Sequence, residues 1–463
     1  MYLPWYKDGP EKVRAIWKDK PMSKQLDRRA LMNAVERVQS LLPLHTVRMT
    51  SILEAIGTDR DNPHSVNEPG MDITTNSGLP HVKSPWRPRP SQDIDSRRES
   101  SLAFDYIINR TESMLAQLKR GDTVTLWALQ AKRLAQKRDI HKTKRLVIAI
   151  EKSEPILWKT FTPALLVGLS KRDEFCALRD LPIIDQTMQR VLLKAEEGNR
   201  SVIGGDYSGY DATLPPWLIQ SAGDIVSRWV YGGETWIKAL TKSMVECVNL
   251  VTPNKIWFKR PSSMKSGSGG TNLLDSLCNL IVIYYGEEIG AYKVVNTCVQ
   301  GDDFVLDAIG ANPEAIHVVA SHFGLEANPD KQMFEPHALQ FLQRVHFTGF
   351  LGGMASVMRT LGSIMSYERM MFSPKLWGPI ADIIRARAQL ENTVFNPYFE
   401  TLVEFVKQGD SYKLGGAASP GELIRAAGPA GLAVLQKLLG GPHKSIHSGM
   451  EVQEQFKRSA VSG

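Results

Sequence analysis

The 463-residue chain has few of the residues and segments that mark secreted, membrane-spanning and zinc-binding proteins. It has only four cysteines, which are far apart and form no C-x-x-C pair: Cys176, Cys247, Cys278 and Cys298. Neither a disulfide framework nor a cysteine zinc site is therefore expected. No uncharged apolar run approaches the ~18 residues that cross a bilayer, and the opening "MYLPWYKDGPEK" lacks the apolar core of a signal peptide. We expect a soluble, cytoplasmic protein without a membrane partner.

Two further absences narrow the range of functions. The motif G-x-x-x-x-G-K-[ST] occurs nowhere, which excludes a P-loop motor protein, and the sequence contains no internal repeat. The composition, with 43% hydrophobic and 23% charged residues, is that of a folded protein. The length allows about three domains of ~150 residues or one large unit with several lobes. A net charge of +7 fits a polyanionic partner if the basic residues cluster, and an ordinary basic protein is the alternative.

The hydrophobic periodicity changes along the chain, with helical ends around a mixed centre, which predicts an α+β fold. Apolar spacing and helix-start signals predict helices at 24–42, 101–119, 122–138, from Pro215-Pro216, at 312–324 and through most of the chain after about 360. Strands are predicted at "RLVIAI" (145–150), "SVIGGDYS" (201–208) and "NTCVQGDDFVLDA" (296–308). Residues 58–98, rich in Pro, Asn, Ser and Asp, predict a long irregular segment.

Acidic residues stand at the ends of two of these predicted strands. In "VQGDDFVLDA", Asp302 and Asp303 are adjacent, and like charges so close raise each other's pKa unless a cation binds them. In "GGDYSGYDATLPP", Asp206 ends a strand and Asp211 follows five residues later. If the two strands are neighbours, the acids would meet at one sheet edge and suit paired Mg²⁺ ions, which brace a phosphoryl displacement. Solvated turns and surface acids are the alternative.

Two other segments suit a nucleotide or an RNA strand. "MKSGSGGTNLLDSLCN" begins a glycine-rich loop at Ser266-Gly267 and an apolar helix at Thr271-Asn272, and small residues let a backbone approach a ligand closely. Seven basic residues lie between 132 and 145 and would suit a triphosphate or an RNA backbone: Lys132, Arg133, Lys137, Arg138, Lys142, Lys144 and Arg145. A flexible loop and a solvated basic helical face are the alternatives.

The order of these segments resembles that of viral RNA-dependent RNA polymerases. It runs "TTNSGLP" (74–80), "KTKRLV" (142–147), "DYSGYD" (206–211), "SGSGGTN" (266–272) and "QGDD" (300–303). "FGLEANPDK" (323–331) is similar to the lysine-bearing segment after the GDD hairpin, and "FLQRVHF" (341–347) to the hairpin that grips the primer end. Because the chain has no helicase, protease or capping motif, it most resembles the stand-alone polymerases of picobirnaviruses and partitiviruses, which have segmented double-stranded RNA genomes.

The resemblance implies an active site built on acidic residues. Asp206 and Asp302 would coordinate two catalytic ions, Mg²⁺ or Mn²⁺, with Asp303 as a weaker ligand. Asp211 and Asn272 match the pair that recognises the ribose 2′-hydroxyl, which distinguishes RNA from DNA precursors.

The remaining implied roles concern the triphosphate, the nascent pair and the template. Ser266, Gly267 and Thr271 would shape the loop beside the nascent base pair. Arg145, with Lys144 and Lys142, would hold the triphosphate, although the basic segment matches the family loosely. Lys331 would protonate the leaving pyrophosphate as a general acid. Ser77 and Gly78 would guide the template strand.

The resemblance also implies a right-hand polymerase with fingers, palm and thumb. Fingers with an N-terminal extension are expected at 1–200 and again at 214–259, the palm at 201–213 and 260–352, and the thumb and tail at 353–463. The implied partners are an RNA template, nascent RNA and NTPs, with viral capsid protein as a further candidate. The implied location is the host cytoplasm, inside the virion or viral core.

Other functions remain open at this point. A two-metal nuclease would use the same acids but would need neither Asn272 nor a triphosphate-binding Arg145. A non-catalytic RNA-binding or capsid-associated protein would tolerate the loss of Asp302 and Asp303. A reverse transcriptase is disfavoured because the pair of Asp211 and Asn272 has no role in admitting dNTPs.

Overall fold

Helices and short strands alternate along the chain, which confirms the predicted α+β class. The structure is a computed structural model that describes residues 5–56, 78–79, 97–133, 145–253, 255–329, 332–350, 352–365, 379–411 and 413. Side chains are described for these residues except 5–9, 97–102, 132–133, 145, 379–381, 384, 388 and 391. No helix among the described residues is long and apolar enough to cross a membrane.

The described residues divide into two units. The first takes in the described residues within Met1–Arg133, Thr143–Leu178 and Ile203–Gln332, and the second those within Arg179–Val202 and Met333–Gly463. The helices of the first unit are α1 (Trp5–Ile16), α2 (Arg28–Gln39), α3 (Ile52–Ile56), α4 (Arg97–Lys119), α5 (Ser153–Lys159), α6 (Thr162–Leu169), α8 (Tyr210–Thr213), α9 (Pro216–Trp229), α10 (Glu234–Glu246), α11 (Thr271–Glu288) and α12 (Pro313–His322). Its strands are β1 (Leu126–Arg133), β2 (Arg145–Ile150), β3 (Val202–Gly205), β4 (Val248–Val251), β5 (Ile256–Trp257), β6 (Lys293–Gln300) and β7 (Asp303–Ile309).

The second unit contains helices and a small sheet. Its helices are α7 (Leu181–Glu197), α13 (Val357–Met365), α14 (Pro379–Leu390) and α15 (Phe399–Gly409). Its strands are β8 (Met333–Glu335), β9 (Ala338–Phe341), β10 (Arg344–Phe347) and β11 (Met354–Ala355). The helices after 360 agree with the sequence. The predicted hairpin at 341–347 is also present, with its turn at Leu342 and Gln343 in the left-handed region.

The helix predicted at 122–138 is wrong, because this segment contains strand β1. β1 pairs antiparallel with β2 and parallel with β4 in a sheet of order β2-β1-β4-β5. Along β1, Leu126 and Ala128 are buried while Trp127 between them is exposed, which is the two-residue period of a strand. Pairing with the distant β2 and β4 therefore outweighs the local helical propensity of "LWALQAKR". The basic segment that follows cannot be assigned a helical face, since 134–144 lie outside the described residues.

The second sheet of the first unit places β7 between β6 and β3. The segment predicted as strand at 296–308 lies in an antiparallel hairpin of β6 and β7, in which Gln300 pairs with Asp303. Gly301, in the turn, has a φ of 61°, a conformation that glycine adopts without the steric cost of a Cβ. The hairpin therefore presents Asp302 and Asp303 at one end of the sheet.

Helices of the first unit enclose a large apolar core. α11 crosses its centre and is buried throughout Leu273–Gly286, as expected for a helix that is apolar on all sides. Four tryptophans of the same core are almost fully buried: Trp17, Trp158, Trp229 and Trp236. This burial gives the sheet edges a rigid support.

Several predicted helix ends agree with the structure. The helix predicted at 24–42 is present as the shorter α2, which begins after Asp27, whose carboxylate accepts hydrogen bonds from the first-turn backbone. α12 is capped by Asn312, and Gly324 follows its end at a φ of 72°. α9 begins at Pro216 as predicted, with no side-chain hydrogen bond at its cap. The predicted irregular segment at 58–98 and the polar tail from 441 lie largely or wholly outside the described residues.

A buried ion pair joins α7 to the β9–β10 hairpin within the second unit. Nη1 and Nη2 of Arg344 donate to the two carboxylate oxygens of Asp185 at 2.8 and 3.1 Å. The Gly353 N–H also donates to Asp185, and its carbonyl accepts from Arg344. Burial lowers the pKa of the adjacent His346 to about 3, so this ring stays neutral. The Asp185 carboxylate is therefore balanced by Arg344 and a backbone N–H rather than by a second cation.

We expect Asp185→Ala to lower the free energy of unfolding by about 3–5 kcal/mol, because it leaves the Arg344 guanidinium buried without its carboxylate. Denaturant unfolding followed by circular dichroism would measure the loss. The control is Glu404→Gln, which removes the exposed pair with Lys407 in the same unit and should cost under about 1 kcal/mol. Equal losses in the two variants would contradict the prediction.

Candidate active site

The two acidic motifs meet at one edge of the β6-β7-β3 sheet. Gly205 ends β3. The ideal Cβ position of Gly205 lies 3.0 Å from the ring of Phe304, the second residue of β7. The Tyr207 and Phe304 rings are also in contact, with centroids 5.4 Å apart. Asp206, between Gly205 and Tyr207, therefore leaves β3 beside the start of β7, where Asp302 and Asp303 lie.

Polar residues of α11 hold the turn between β6 and β7. The Ser276 hydroxyl accepts a hydrogen bond from the Gly301 N–H at 2.8 Å. The Asn279 side-chain amide donates to the carbonyls of Gly301 and Asp302 at 3.0 and 3.3 Å, and its oxygen accepts from the Tyr207 hydroxyl at 3.3 Å. One helix thus fixes the backbone beside both acidic motifs. Sequence reasoning missed Ser276 and Asn279, although polar residues in an apolar helix are a usable signal.

Asp275 is a further acidic residue of the site that sequence reasoning missed. It lies on the first turns of α11, is almost fully buried and hydrogen-bonds to Asp211. Burial raises the pKa of Asp275 well above its usual value, and the charges of Asp211 and Asp302 raise it further. A hydrogen bond between two carboxyl groups needs one proton, and the raised pKa favours Asp275 as the group that donates it to the Asp211 carboxylate. Its signal was an acid within the apolar helix that follows Thr271-Asn272.

The start of α11 places the predicted Asn272 next to the same turn. Asn272 is exposed, and its Oδ1 lies 3.8 Å from the ideal Cβ position of Gly301. Thr271, one residue earlier, donates its hydroxyl to the carbonyls of Lys265 and Ser268 at 2.8 and 3.0 Å. Thr271 therefore braces the glycine-rich loop, and Asn272 stands at the loop's junction with the acidic edge.

The glycine-rich loop packs directly on strand β2. A Cβ added to Gly267 would clash with the carbonyl oxygen of Ile148 and touch the Ala149 Cα at 3.0 Å, so only glycine fits here without movement. The Ser266 hydroxyl accepts a long hydrogen bond, 3.4 Å, from the Ile148 N–H. Two of the three predicted loop residues thus contact the strand that begins with Arg145.

Other predicted residues are placed in part. Gly78 lies beside the backbone that follows β2, with its ideal Cβ position 3.5 Å from the Lys152 nitrogen and 3.6 Å from the Glu151 Cα, and its φ is 77°. The backbone of Arg145 begins β2, where it pairs with Arg133. The Arg145 side chain lies outside the described residues, as do Ser77, Lys142, Lys144 and Lys331.

A family model described as viral RNA-dependent RNA polymerase matches residues 70–371, which is more than half of the chain. The chain belongs to this family. The match covers both acidic motifs, the glycine-rich loop and strand β2, which are the segments that pack together in the first unit.

Individual relatives from picobirnaviruses agree with this membership. A potential RNA-dependent RNA polymerase of a human picobirnavirus is 33% identical over 209 residues, covering 43% of this chain and 38% of that protein. The chain thus matches less than half the length of this polymerase. Two crystal structures of the RNA-dependent RNA polymerase of a human picobirnavirus share the fold. The insertion-loop deletion mutant has a TM-score of 0.72 at 18% identity, over 98% of this chain and 83% of that one. The second has a TM-score of 0.71 at 19% identity, over 98% of this chain and 84% of that one. The predicted resemblance to picobirnavirus polymerases is confirmed.

The acidic edge has the donor atoms that the family's divalent cations require. Carboxylate oxygens are the preferred ligands of Mg²⁺, which takes one or two of them and completes its shell with water and substrate phosphate. Within the described ranges, no group of three or more His, Cys, Asp or Glu side chains is arranged to hold an ion alone. Asp206 and Asp302 at one sheet edge fit an ion that shares its coordination with a nucleotide.

We expect Asn279→Ala to lower kcat for nucleotide incorporation about tenfold, because the Gly301 and Asp302 carbonyls and the Tyr207 hydroxyl lose their partner. Steady-state kinetics on a primed RNA would measure it, with KM for NTP nearly unchanged. Ser276→Ala, which removes a single bond to Gly301, is the milder comparison. An Asn279→Ala protein of lower melting temperature but normal kcat would contradict a role in placing the turn.

Proposed function

We propose that this protein is an RNA-directed RNA polymerase that transfers a ribonucleotide from an NTP to an RNA 3′-hydroxyl and releases pyrophosphate. Its role would be to replicate and transcribe a viral RNA genome. The observation that carries this proposal is that Asp206 and Asp302 lie at one sheet edge, beside Asp275 and its partner Asp211, in a chain of the polymerase family. The glycine-rich loop that begins at Ser266 adjoins that edge through α11.

The acids would hold two Mg²⁺ or Mn²⁺ ions, with Asp206 and Asp302 as main ligands and Asp303 in support. When bound, such ions lower the pKa of the attacking 3′-hydroxyl and neutralise charge on the leaving pyrophosphate. The protein's own contribution is positional. α11 fixes the turn that carries Asp302 through Ser276 and Asn279, so the carboxylates need not reorganise as the nucleotide reacts.

Ribose selection would depend on Asp211, supported by Asn272. The 2′-hydroxyl both donates and accepts hydrogen bonds, so a carboxylate and an amide together can satisfy it. The hydrogen bond from Asp275 would hold the Asp211 carboxylate in one orientation. We therefore add Asp275 to the pair proposed from the sequence, as a residue that acts through Asp211.

The triphosphate and template roles rest on the family resemblance. Arg145, with Lys144 and Lys142, would bind the triphosphate, and Lys331 would protonate the pyrophosphate. Ser77 and Gly78 would guide the template, Ser266 and Gly267 would shape the loop beside the nascent pair, and Thr271 would brace it. The contact of Gly267 with β2 supports this, because it places the loop against the strand that starts at Arg145.

The finer architecture and setting are also proposals. Fingers would comprise 1–200 and 214–259, the palm 201–213 and 260–352, and the thumb with its tail 353–463. The partners would be template and nascent RNA with NTPs, and viral capsid protein as a further candidate. Following the viruses of its relatives, the protein would act in the host cytoplasm within the virion or viral core.

The test is incorporation of labelled NTP on a short RNA template with Mg²⁺ or Mn²⁺. A polymerase extends the RNA to the template end only when the complementary NTP is present. Shortening of RNA incubated with Mg²⁺ alone would instead indicate the two-metal nuclease. RNA binding without either reaction would favour the non-catalytic, capsid-associated alternative. Extension on dNTPs as readily as on NTPs would favour a reverse transcriptase.

A further inference from the structure

A buried glutamate joins the glycine-rich loop to helix α5. Glu154 lies in the first turn of α5 and is fully buried. Its Oε1 accepts hydrogen bonds from the Ser268 hydroxyl at 2.5 Å and from the Trp158 indole N–H at 2.7 Å, and its Oε2 accepts from the Gly269 N–H at 3.1 Å. Two of these three donors belong to the loop. Nothing in the proposed chemistry uses this acid.

The loop also packs tightly on the same helix. The ideal Cβ position of Gly269 lies 2.8 Å from the Pro155 Cα, and that of Gly270 lies 2.6 Å from the Trp158 ring. Ser268 takes part twice, since its oxygen also accepts from the Gly270 N–H at 3.1 Å. The centre of the loop therefore rests on α5 without intervening side chains, and Glu154 is its polar anchor there.

The full set of bonds requires an ionised carboxylate. Three donors converge on its two oxygens, and a proton on either oxygen removes acceptor capacity. Burial raises the pKa of Glu154 to about 7, the three hydrogen bonds oppose this shift, and the charge of Glu151 adds to it. Both states of Glu154 are thus accessible near neutral pH.

The charged groups around Glu154 lie on α3, α4, α5 and the glycine-rich loop. Glu151, just before α5, is bound by Arg110 of α4, whose Nε donates to it at 3.0 Å. Burial lowers the pKa of Lys265, at the loop's start, well below its usual value. Other charged groups on the elements around α5 include Glu54 on α3, Asp105, Glu112 and Lys119 on α4, and Lys152 and Lys159 at the two ends of α5.

We propose that Glu154 is a positioning residue for nucleotide transfer, whose carboxylate fixes the centre of the glycine-rich loop by accepting hydrogen bonds from Ser268 and Gly269. The loop leads directly into α11, which carries Asn272 and Asp275 and holds the GDD turn. The proposal rests on the function proposed above, but the anchoring itself is a property of the fold. It assigns no contact between Glu154 and substrate.

The sign of the pH effect follows from the two protonation states. Above about pH 7 the carboxylate is ionised and the loop is held. As the pH falls through that value, the proton displaces at least one donor, and the loop is released. Between the ordinary pKa of a glutamate and about pH 7, the folded state keeps this proton while the unfolded chain has lost it. The contribution of Glu154 to the free energy of unfolding therefore falls as the pH rises through this range.

The experiment compares wild type with Glu154→Gln in single-nucleotide incorporation across pH. Glutamine has the same shape but one acceptor oxygen, so the loop should lose part of its anchor. We expect the wild-type rate to exceed the variant's about tenfold at about pH 8 and to approach it at about pH 6. The ratio cancels the pH dependence of the chemical step. KM for the RNA template should not change.

A second readout needs no catalysis. Hydrogen exchange of the Gly269 amide, corrected for its intrinsic rate, should be about tenfold faster in Glu154→Gln than in wild type at about pH 8. This arm distinguishes two failures. If wild type does not extend RNA but shows the exchange difference, the proposed function fails and the anchoring stands. If wild type extends RNA and neither readout differs, the anchoring is wrong.

Two further variants guard against misfolding and general charge effects. Ser268→Ala removes one donor without touching the buried acid, and the double variant with Glu154→Gln should lose less than the product of the two single losses. Fully multiplicative losses would overturn the proposal. Asp224→Asn, which removes an exposed carboxylate whose pKa is also raised and breaks its pair with Lys238, should leave the ratio at wild-type values.

Discussion

Asp302→Asn is expected to lower the rate of nucleotide incorporation by about a thousandfold or more. A loss of this size is typical when a group that stabilises charge in the transition state is removed. Asparagine keeps the size of the side chain and the backbone bond from Asn279, so the turn should keep its shape. What is lost is a negative charge at the sheet edge where β3 and β7 meet. Quenched-flow incorporation of one nucleotide into a primed RNA would measure the rate.

The same hairpin offers a matched control for this prediction. Asp307 lies on β7, is fully buried and accepts a hydrogen bond from Asn296 at 2.9 Å. Asp307→Asn therefore removes one carboxylate from the same strand, and its incorporation rate should stay within about threefold of wild type. Asp303→Asn should fall between the two. Normal incorporation by the Asp302→Asn protein would leave RNA binding without catalysis as the better explanation.

Much of the site was predictable because its residues lie within a few positions of local signals. The Gly-Asp-Asp turn lies between two β-prone runs, so its hairpin follows from turn chemistry. Asp206 follows a glycine pair at a strand end, and Pro216 marks a helix start. The order of these segments then identified the family, which a single motif could not do.

What the sequence could not supply are contacts between distant segments. Strand β1 was predicted as helix because its partners are β2 and β4, and β4 lies more than a hundred residues away. The hydrogen bonds of Glu154 likewise join residues 114 and 115 positions apart. Glu154 sits in a segment without a recognisable motif, so its burial and partners were visible only in the fold.

Asp275→Leu is expected to reduce the preference for NTP over dNTP by about ten- to a hundredfold, with a smaller effect on dNTP incorporation itself. Asp275 donates a hydrogen bond to Asp211, the residue proposed to contact the ribose 2′-hydroxyl. Leucine fills the buried space but cannot donate, so the Asp211 carboxylate would lose its fixed orientation. Competition between matched NTP and dNTP on one template would give the ratio of kcat/KM values.

Asparagine at the same position separates the hydrogen bond from the acid. Because the raised pKa favours Asp275 as the donor to Asp211, the amide of Asp275→Asn can replace it and should keep the ratio within about threefold of wild type. Asn272→Ala tests the other half of the ribose pair, and an unchanged preference there would remove Asn272 from that role. If Asp275→Leu and Asp275→Asn show the same preference for NTP over dNTP, Asp275 serves only the packing of α11. Ribose selection would then depend on Asp211 without its buried partner.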